Sequence, residues 1–191
     1  MSIFQNATNN AIATLEALRT LEPLVEKTAA AISTCLLSGG KLLVCGNGGS
    51  AADGADFSAE YGCRFMNDRQ PFPAINLTAC SSLTTAIGND YGFEQLFARQ
   101  VRGFAKPGDV LVALSTSGNS PNILAALREA GSMGITSIAL LGRDGGSARG
   151  IASIDLIVPS TITARIQEAH KFLLHVVCEM VEQTLPSPPR P

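Results

Sequence analysis

The sequence predicts an α/β protein, a three-layer α-β-α sandwich around a five-stranded, mostly parallel sheet, preceded by amino-terminal helices. Three observations carry this. Five short apolar runs, at residues 41–45, 73–77, 109–114, 136–141 and 154–158, have the length and composition of buried strands. Helix-patterned segments alternate with them, the arrangement that builds a mostly parallel sheet. Glycine- and serine-rich turns follow two of the strands, and ligands of such sheets bind beyond the carboxyl ends of the strands.

In chain order, residues 3–18 place Ile3, Ala7, Ala11, Leu15 and Leu18 at helical spacing, and residues 21–37 continue with Leu24, Val25, Ala29, Ile32 and Leu36. Gly39-Gly40 ends the second helix. The run KLLVC (41–45) opens the sheet, and Gly46-Asn47-Gly48-Gly49-Ser50 turns into a helix over residues 51–61 that is rich in small residues and carries Asp53, Asp56, Phe57 and Glu60. The second strand, 73–77, precedes a short helix at 81–87 and a polar loop, Gly88-Asn89-Asp90-Tyr91-Gly92-Phe93. A helix over 93–101 leads to the strand DVLVAL (109–114) and a second glycine and hydroxyl loop, Ser115-Thr116-Ser117-Gly118-Asn119-Ser120-Pro121. Ser120-Pro121 reads as an N-cap followed by proline at the first helical position, and this helix runs to about Ser132. The strand TSIALL, the loop Gly142-Arg143-Asp144-Gly145-Gly146, the strand IDLIV and a long helix over 163–184 complete a single domain, residues 1–185. Proline-rich residues 186–191 cannot continue a helix and read as a tail.

Composition excludes several function classes. Net charge is −2, with no basic run, which argues against nucleic acid and anionic membrane surfaces as partners. No stretch has transmembrane length, and the amino terminus MSIFQNATNN has neither a basic nor an apolar leader segment. The five cysteines, Cys35, Cys45, Cys63, Cys80 and Cys178, are odd in number and unpaired in spacing, so the expected compartment is the cytoplasm. A hydrophobic content of 46% against 16% charged residues predicts apolar surface buried between subunits, hence a homo-oligomer.

Both glycine loops read as anion cradles. Glycines allow positive φ and close backbone approach, the exposed N–H groups and dipole of the following helix favour a negative group, and Asn47, Ser50 and the loop hydroxyls add hydrogen bonds. Neither nucleotide fingerprint is met: the first loop lacks the lysine of a P-loop and the third glycine spacing of a dinucleotide fold, so a sugar phosphate fits better. Only two histidines exist, His170 and His175, both in the last helical segment. A histidine there is ordinarily structural and Glu60 ordinarily a solvated helix residue. Two phosphate cradles, a carboxylate and an imidazole are nevertheless the minimal equipment for proton transfer between adjacent carbons of a sugar phosphate.

The combination CGNGGSAADGADFSAEYGCRF, TAIGNDYGFEQLFARQV, GDVLVALSTSGNS, GRDGG and TARIQEAHKFLLH, in that order and over almost the whole chain, resembles the SIS-domain phosphoheptose isomerases. The resemblance implies conversion of sedoheptulose 7-phosphate to D-glycero-D-manno-heptose 7-phosphate, the first step toward the activated heptose of lipopolysaccharide or capsule, through an enediol. It assigns substrate contacts to Asn47, Gly48, Gly49, Ser50, Glu60, Asn89, Asp90, Ser115, Thr116, Ser117, Ser120 and Gln167, and the acid/base pair to Glu60 and His175. It also implies one zinc ion per subunit on Asp56, Glu60, Gln167 and His175, with Asp56 standing where the zinc-holding members have histidine, and a homotetramer. Other readings are a non-catalytic SIS protein that shares the loops and fold and binds the replication initiator, a sugar-phosphate sensor, and a different ketose-phosphate isomerase. The first of these lacks the glutamate and histidine present here as Glu60 and His175, and no DNA-binding segment flanks the domain to favour the second.

Gln167 and His175 are eight positions apart, about 12 Å along a straight helix and rotated by about 80°. Side chains so placed converge poorly on one point, so the expectation is a site assembled between subunits. The stripe Phe172, Leu173, Val176 and Val177 is then expected to pack helices of neighbouring copies together.

Overall fold

In the computed structural model, which describes residues 1–186, five strands form one sheet of order β2-β1-β3-β4-β5 with every neighbouring pair parallel. The tail expected at 186–191 lies, beyond Pro186, outside the described residues. The strands are β1 (Leu42–Cys45), β2 (Ala74–Asn76), β3 (Val110–Ser115), β4 (Thr136–Gly142) and β5 (Ile154–Val158). The helices are α1 (Ile3–Ala17), α2 (Glu22–Leu37), α3 (Gly49–Gly62), α4 (Ser81–Tyr91), α5 (Leu96–Phe104), α6 (Pro121–Ser132) and α7 (Thr163–Glu182).

Alternation along the strands divides the core. Leu42 and Val44 of β1 face one layer, with Ile32, Phe57, Leu173 and Val177 from α2, α3 and α7. Leu43 and Cys45 face the other, with Phe97, Val101, Ile123 and Leu127 from α5 and α6. The sheet grows outward from β1 in one direction to β2 and from β3 in the other to β4. Right-handed crossovers therefore send α3 and α6 to opposite faces. The glycine loops that precede these helices meet at the β1/β3 boundary, the point where strand order reverses and a crevice opens. At the opposite end of these two strands, the Asp109 carboxylate accepts from the Lys41 N–H at 2.9 Å and the Lys106 N–H at 2.7 Å, and pairs with the Lys41 ammonium at 2.5 Å.

One predicted element differs materially. Of the polar loop expected at residues 88–93, residues 88–91 are the last turn of α4, because the glycine that ends the helix is Gly92 (φ 86°) and not Gly88. The positive φ at Gly92 is the backbone conformation that requires glycine there.

Candidate active site

The first cradle is shaped by glycine geometry. Gly48 adopts φ 54°, ψ −122° and forms the N-cap of α3, and the N–H groups of Ser50 and Ala51 turn back to the carbonyls of Asn47 and Gly48. A Cβ on Gly46 would lie 2.5 Å from the Ser50 carbonyl oxygen, and one on Gly49 only 2.2 Å from Gln167 Nε2. Gln167 of α7 thus closes the first loop from the side. Asn47 is fixed from across the crevice: its amide donates to Asn122 Oδ1 at 2.9 Å, and the Asn122 amide donates back to Asn47 Oδ1 at 2.8 Å.

The second cradle is a network of its own. Ser115 is buried, and its hydroxyl accepts from the Gly118 N–H at 3.1 Å and lies 3.2 Å from Ser120 Oγ. Ser117 Oγ accepts from the Asn119 N–H at 3.1 Å, and Asn119 Oδ1 accepts from the Ser147 N–H at 2.9 Å, lacing this loop to the one after β4. Ser120 occupies the N-cap position of α6, as expected, but its hydroxyl makes no capping bond and turns toward Ser115 instead. Ser115 shapes the loop, while Thr116, Ser117 and Ser120 remain partly accessible to a ligand.

The third component is a seam between α3 and α7. Their contacts advance together: Gly49 meets Gln167, Asp53 and Asp56 meet Lys171, Tyr61 meets Cys178, and residues 65–67 meet Glu182. The two helices therefore run parallel in register. Asp53, Asp56 and Glu60 form one row at spacings of three and four, and Gln167, Lys171 and His175 form the facing row at spacings of four. Lys171 Nζ lies 3.0 Å from Asp53 Oδ1 and 2.5 Å from Asp56 Oδ2. Partial burial disfavours the ammonium, but the two carboxylates outweigh this and hold its pKa above the ordinary lysine value.

At the far end of the seam, Glu60 is half-buried and His175 exposed, its ring 5.6 Å from that of Phe65. Burial pushes the Cys178 thiol up to about 12, and the neighbouring Glu60 carboxylate adds to that rise. The backbone here is clamped by Arg69, which donates to the carbonyls of Glu60 at 2.5 Å and Tyr61 at 3.1 Å. Arg69 in turn lies 3.3 Å from Glu182, whose carboxylate also accepts the N–H groups of Phe65, Met66 and Asn67. The other histidine, His170, is fully buried, with Nε2 3.1 Å from the Leu141 carbonyl, and burial lowers its pKa to about 4. A buried imidazole whose one hydrogen-bond partner among the described residues is a carbonyl is a packing residue, the structural role expected of a lone histidine.

Sequence-derived site residues are thus distributed over three places. Asn47, Gly48, Gly49, Ser50 and Gln167 gather at the first cradle, and Ser115, Thr116, Ser117 and Ser120 at the second. Glu60 and His175 sit on facing rows at the distal end of the seam, and Gln167 does not join them. Asn89 and Asp90 lie on the exposed last turn of α4, bonded to each other at 2.7 Å, and Asp90 lines a recess with Tyr91 and Arg99. The stripe on α7 divides as well: Leu173 and Val177 are buried in this chain's own core, leaving Phe172, 47% exposed, and part of Val176 on the outer face. Sequence reasoning missed Asn122, Asn119 and Lys171. Asn122 follows Pro121 at the start of a helix, and Lys171 lies midway between Gln167 and His175, one turn from each.

The expected zinc donors do not fit a metal as they stand. A structural or catalytic zinc needs three or four donors within about 2.3 Å. Here the Asp56 carboxylate is taken by Lys171, Gln167 is turned to Gly49, and among the described residues no three histidine, cysteine, aspartate or glutamate side chains form a metal-sized group.

A family model for the SIS domain matches residues 8–142 of the chain. The phosphoheptose isomerase of Geobacter sulfurreducens is 52% identical over 172 residues, covering 90% of this chain and 91% of its own. Among solved structures, the phosphoheptose isomerase of Neisseria gonorrhoeae superposes with a TM-score of 0.86 at 40% identity, covering 94% of this chain and 97% of its own. That of Francisella tularensis gives 0.87 at 39% identity, covering 94% of each.

Proposed function

We infer that the chain, which belongs to the SIS-domain family and within it to the phosphoheptose isomerases, converts sedoheptulose 7-phosphate to D-glycero-D-manno-heptose 7-phosphate. The observation that carries this reading is the parallel α3–α7 seam, which sets the row of Glu60 against the row of His175 at one end and Gln167 against the glycine turn at the other. The relative of that name from Geobacter sulfurreducens is 52% identical to it over 172 residues.

In this reading the Ser115–Ser120 loop and the first glycine turn hold the phosphate and the chain of hydroxyls, and Asn47 and Gln167 orient the carbonyl end. The Glu60 carboxylate removes a proton from the carbon beside the carbonyl, and the electron pair left behind forms the carbon–carbon double bond of the enediol. His175 delivers a proton to the former carbonyl oxygen and accepts one from the neighbouring hydroxyl. Return of a proton to the adjacent carbon then completes the isomerisation with no net change in composition. General acid–base groups of this kind contribute about 10²–10⁴-fold.

Glu60 lies eleven residues along α3 from Gly49, a rise of about 16 Å, whereas an extended heptose phosphate spans roughly 10 Å. This supports a site shared between copies, in which the cradles and Gln167 of one subunit meet Glu60 and His175 of another. A homotetramer accommodates such sharing. The groove of about 470 Å³ between α1, α2 and α7, lined by Ile12, Leu15, Phe172 and Met180, supplies apolar surface for it. Five unpaired cysteines suit the cytoplasm, and the heptose product suits supply of activated heptose to lipopolysaccharide or capsule. Incubation of the purified protein with sedoheptulose 7-phosphate, followed by NMR, tests the reading: aldose resonances are expected, and their absence at any enzyme concentration overturns it.

A further inference from the structure

Lys171 stands at the middle of the seam, and the isomerase chemistry gives it no role. It stands one helical turn from Gln167 and one from His175, and its ammonium reaches across to both Asp53 and Asp56. Its side chain lines a recess of about 480 Å³ together with Gly49, Ala52, Asp53, Gln167 and Glu168, so the charge faces the same opening as the first glycine turn. Without it, an incoming phosphate dianion would meet the carboxylate of Asp53 in that opening and that of Asp56 one turn farther along α3, whereas Glu168 is already paired with Arg165. A positive charge fixed between two of them offsets that repulsion.

We propose that Lys171 is a built-in counter-cation that takes the electrostatic place of a divalent ion, so that this chain's site holds its carboxylate row without metal. Three features favour a lysine over a free ion here. The ammonium is tethered, so its binding costs no association entropy. Its two carboxylate partners lie at hydrogen-bonding distance, and a lysine donates three hydrogen bonds and accepts none, so it satisfies acids but cannot ligate a metal. A cation placed within the donor row also repels a second one, lowering metal affinity further. Lys171 is thus a positioning residue: it holds Asp53 and Asp56 on the seam and sets the charge of the recess.

The test is a zinc titration, by calorimetry and by elemental analysis after dialysis against EDTA, on wild type, Lys171→Arg, Lys171→Met and the double variant Lys171→Met with Asp56→His. Wild type and Lys171→Arg are expected to show no saturable zinc at one per chain in the micromolar range. Lys171→Met is expected to gain at least about tenfold in zinc affinity, and the double variant more, because histidine replaces a carboxylate no longer neutralised. Stoichiometric zinc that survives dialysis in wild type overturns the proposal, and so does a Lys171→Met protein whose zinc affinity equals that of wild type. Circular dichroism establishes which variants are folded, and the wild-type titration decides the matter even if the variants are not. The turnover arm rests on the isomerase reading: chelator is expected to leave wild-type turnover unchanged. A protein that isomerises nothing with or without zinc would defeat that reading alone, since the binding titration stands independently of it.

Discussion

The carboxamides of Asn47 and Asn122 exchange two hydrogen bonds, of 2.9 and 2.8 Å, across the crevice between β1 and β3, and Asn122 is almost completely buried. This ring ties the first cradle to the helix that the second cradle opens. Replacing Asn122 by alanine strands a polar group in the crevice and is expected to cost about 1–3 kcal/mol of stability in urea unfolding. The Asn47→Ala, Asn122→Ala double variant should lose less than the sum of the single losses. Strict additivity would show that the two amides act separately.

Glu60→Gln and His175→Ala should each lower kcat by about 10²–10⁴-fold while leaving the melting temperature near that of wild type, since neither side chain belongs to the core. Near-normal turnover in either variant removes that residue from the proton-transfer step. If the site is shared between copies, mixing the inactive Glu60→Gln protein with an inactive Gln167→Ala protein should restore part of the activity in hybrid oligomers. No recovery after verified subunit exchange would place the whole site in one chain.

The hydroxyls of the second loop should separate by role. Ser117→Ala and Ser120→Ala are expected to raise KM for the sugar phosphate, with the fold intact. Ser115→Ala, by contrast, removes the acceptor for the Gly118 N–H inside a buried loop and should also cost about 1 kcal/mol of stability. An unchanged KM in both of the first two variants would exclude the loop as the phosphate site.

Arg69 and Glu182 predict a stability effect that reaches the chemistry. Their side chains are 4% exposed, and Glu182→Ala leaves the guanidinium unpaired in the interior, at an expected cost of about 3–5 kcal/mol. Because Arg69 also holds the Glu60 carbonyl, kcat should fall in the same variant even below its melting temperature. Replacing both residues by methionine should be milder than Glu182→Ala in thermal unfolding; a harsher effect would mean that the pair is favourable in itself.

His170 gives the pH dependence its sign. Its folded pKa, lowered by burial from 6.5 to about 4, means that the unfolded chain binds the extra proton between these values. Stability is therefore fully present above pH 6.5 and falls as the pH drops toward 4, by roughly 3 kcal/mol at about 1.4 kcal/mol per pH unit. Denaturant titrations of wild type and His170→Gln between pH 4 and 7 should differ by this slope, and parallel curves would contradict the assignment.

The sheet was legible because parallel strands leave an unambiguous mark: LLV, VLVALS and IALL can only be buried on both faces. The glycine turns were legible for a related reason, since backbone packed tightly against other backbone admits no Cβ, as Gly46 against the Ser50 carbonyl shows. What the residues alone concealed were relations between distant segments. That α3 and α7 run parallel, so that Lys171 falls between Asp53 and Asp56, follows from the packing of two helices 115 residues apart. Nor could position 122 be distinguished from any other polar residue at a helix start until β1 and β3 became neighbours. The end of α4 is not legible because Gly88 and Gly92 carry equal weight as stops, and only the positive φ at Gly92 decides between them.

The measurement that bears most directly on the account is isomerisation of sedoheptulose 7-phosphate in heavy water, with the position of deuterium in the product read by NMR. Proton transfer through an enediol handled by Glu60 and His175 predicts solvent deuterium at the carbon next to the new aldehyde, and neither label nor product with Glu60→Gln. Aldose formed without any solvent deuterium, or formed at the wild-type rate by the Glu60→Gln protein, would contradict it.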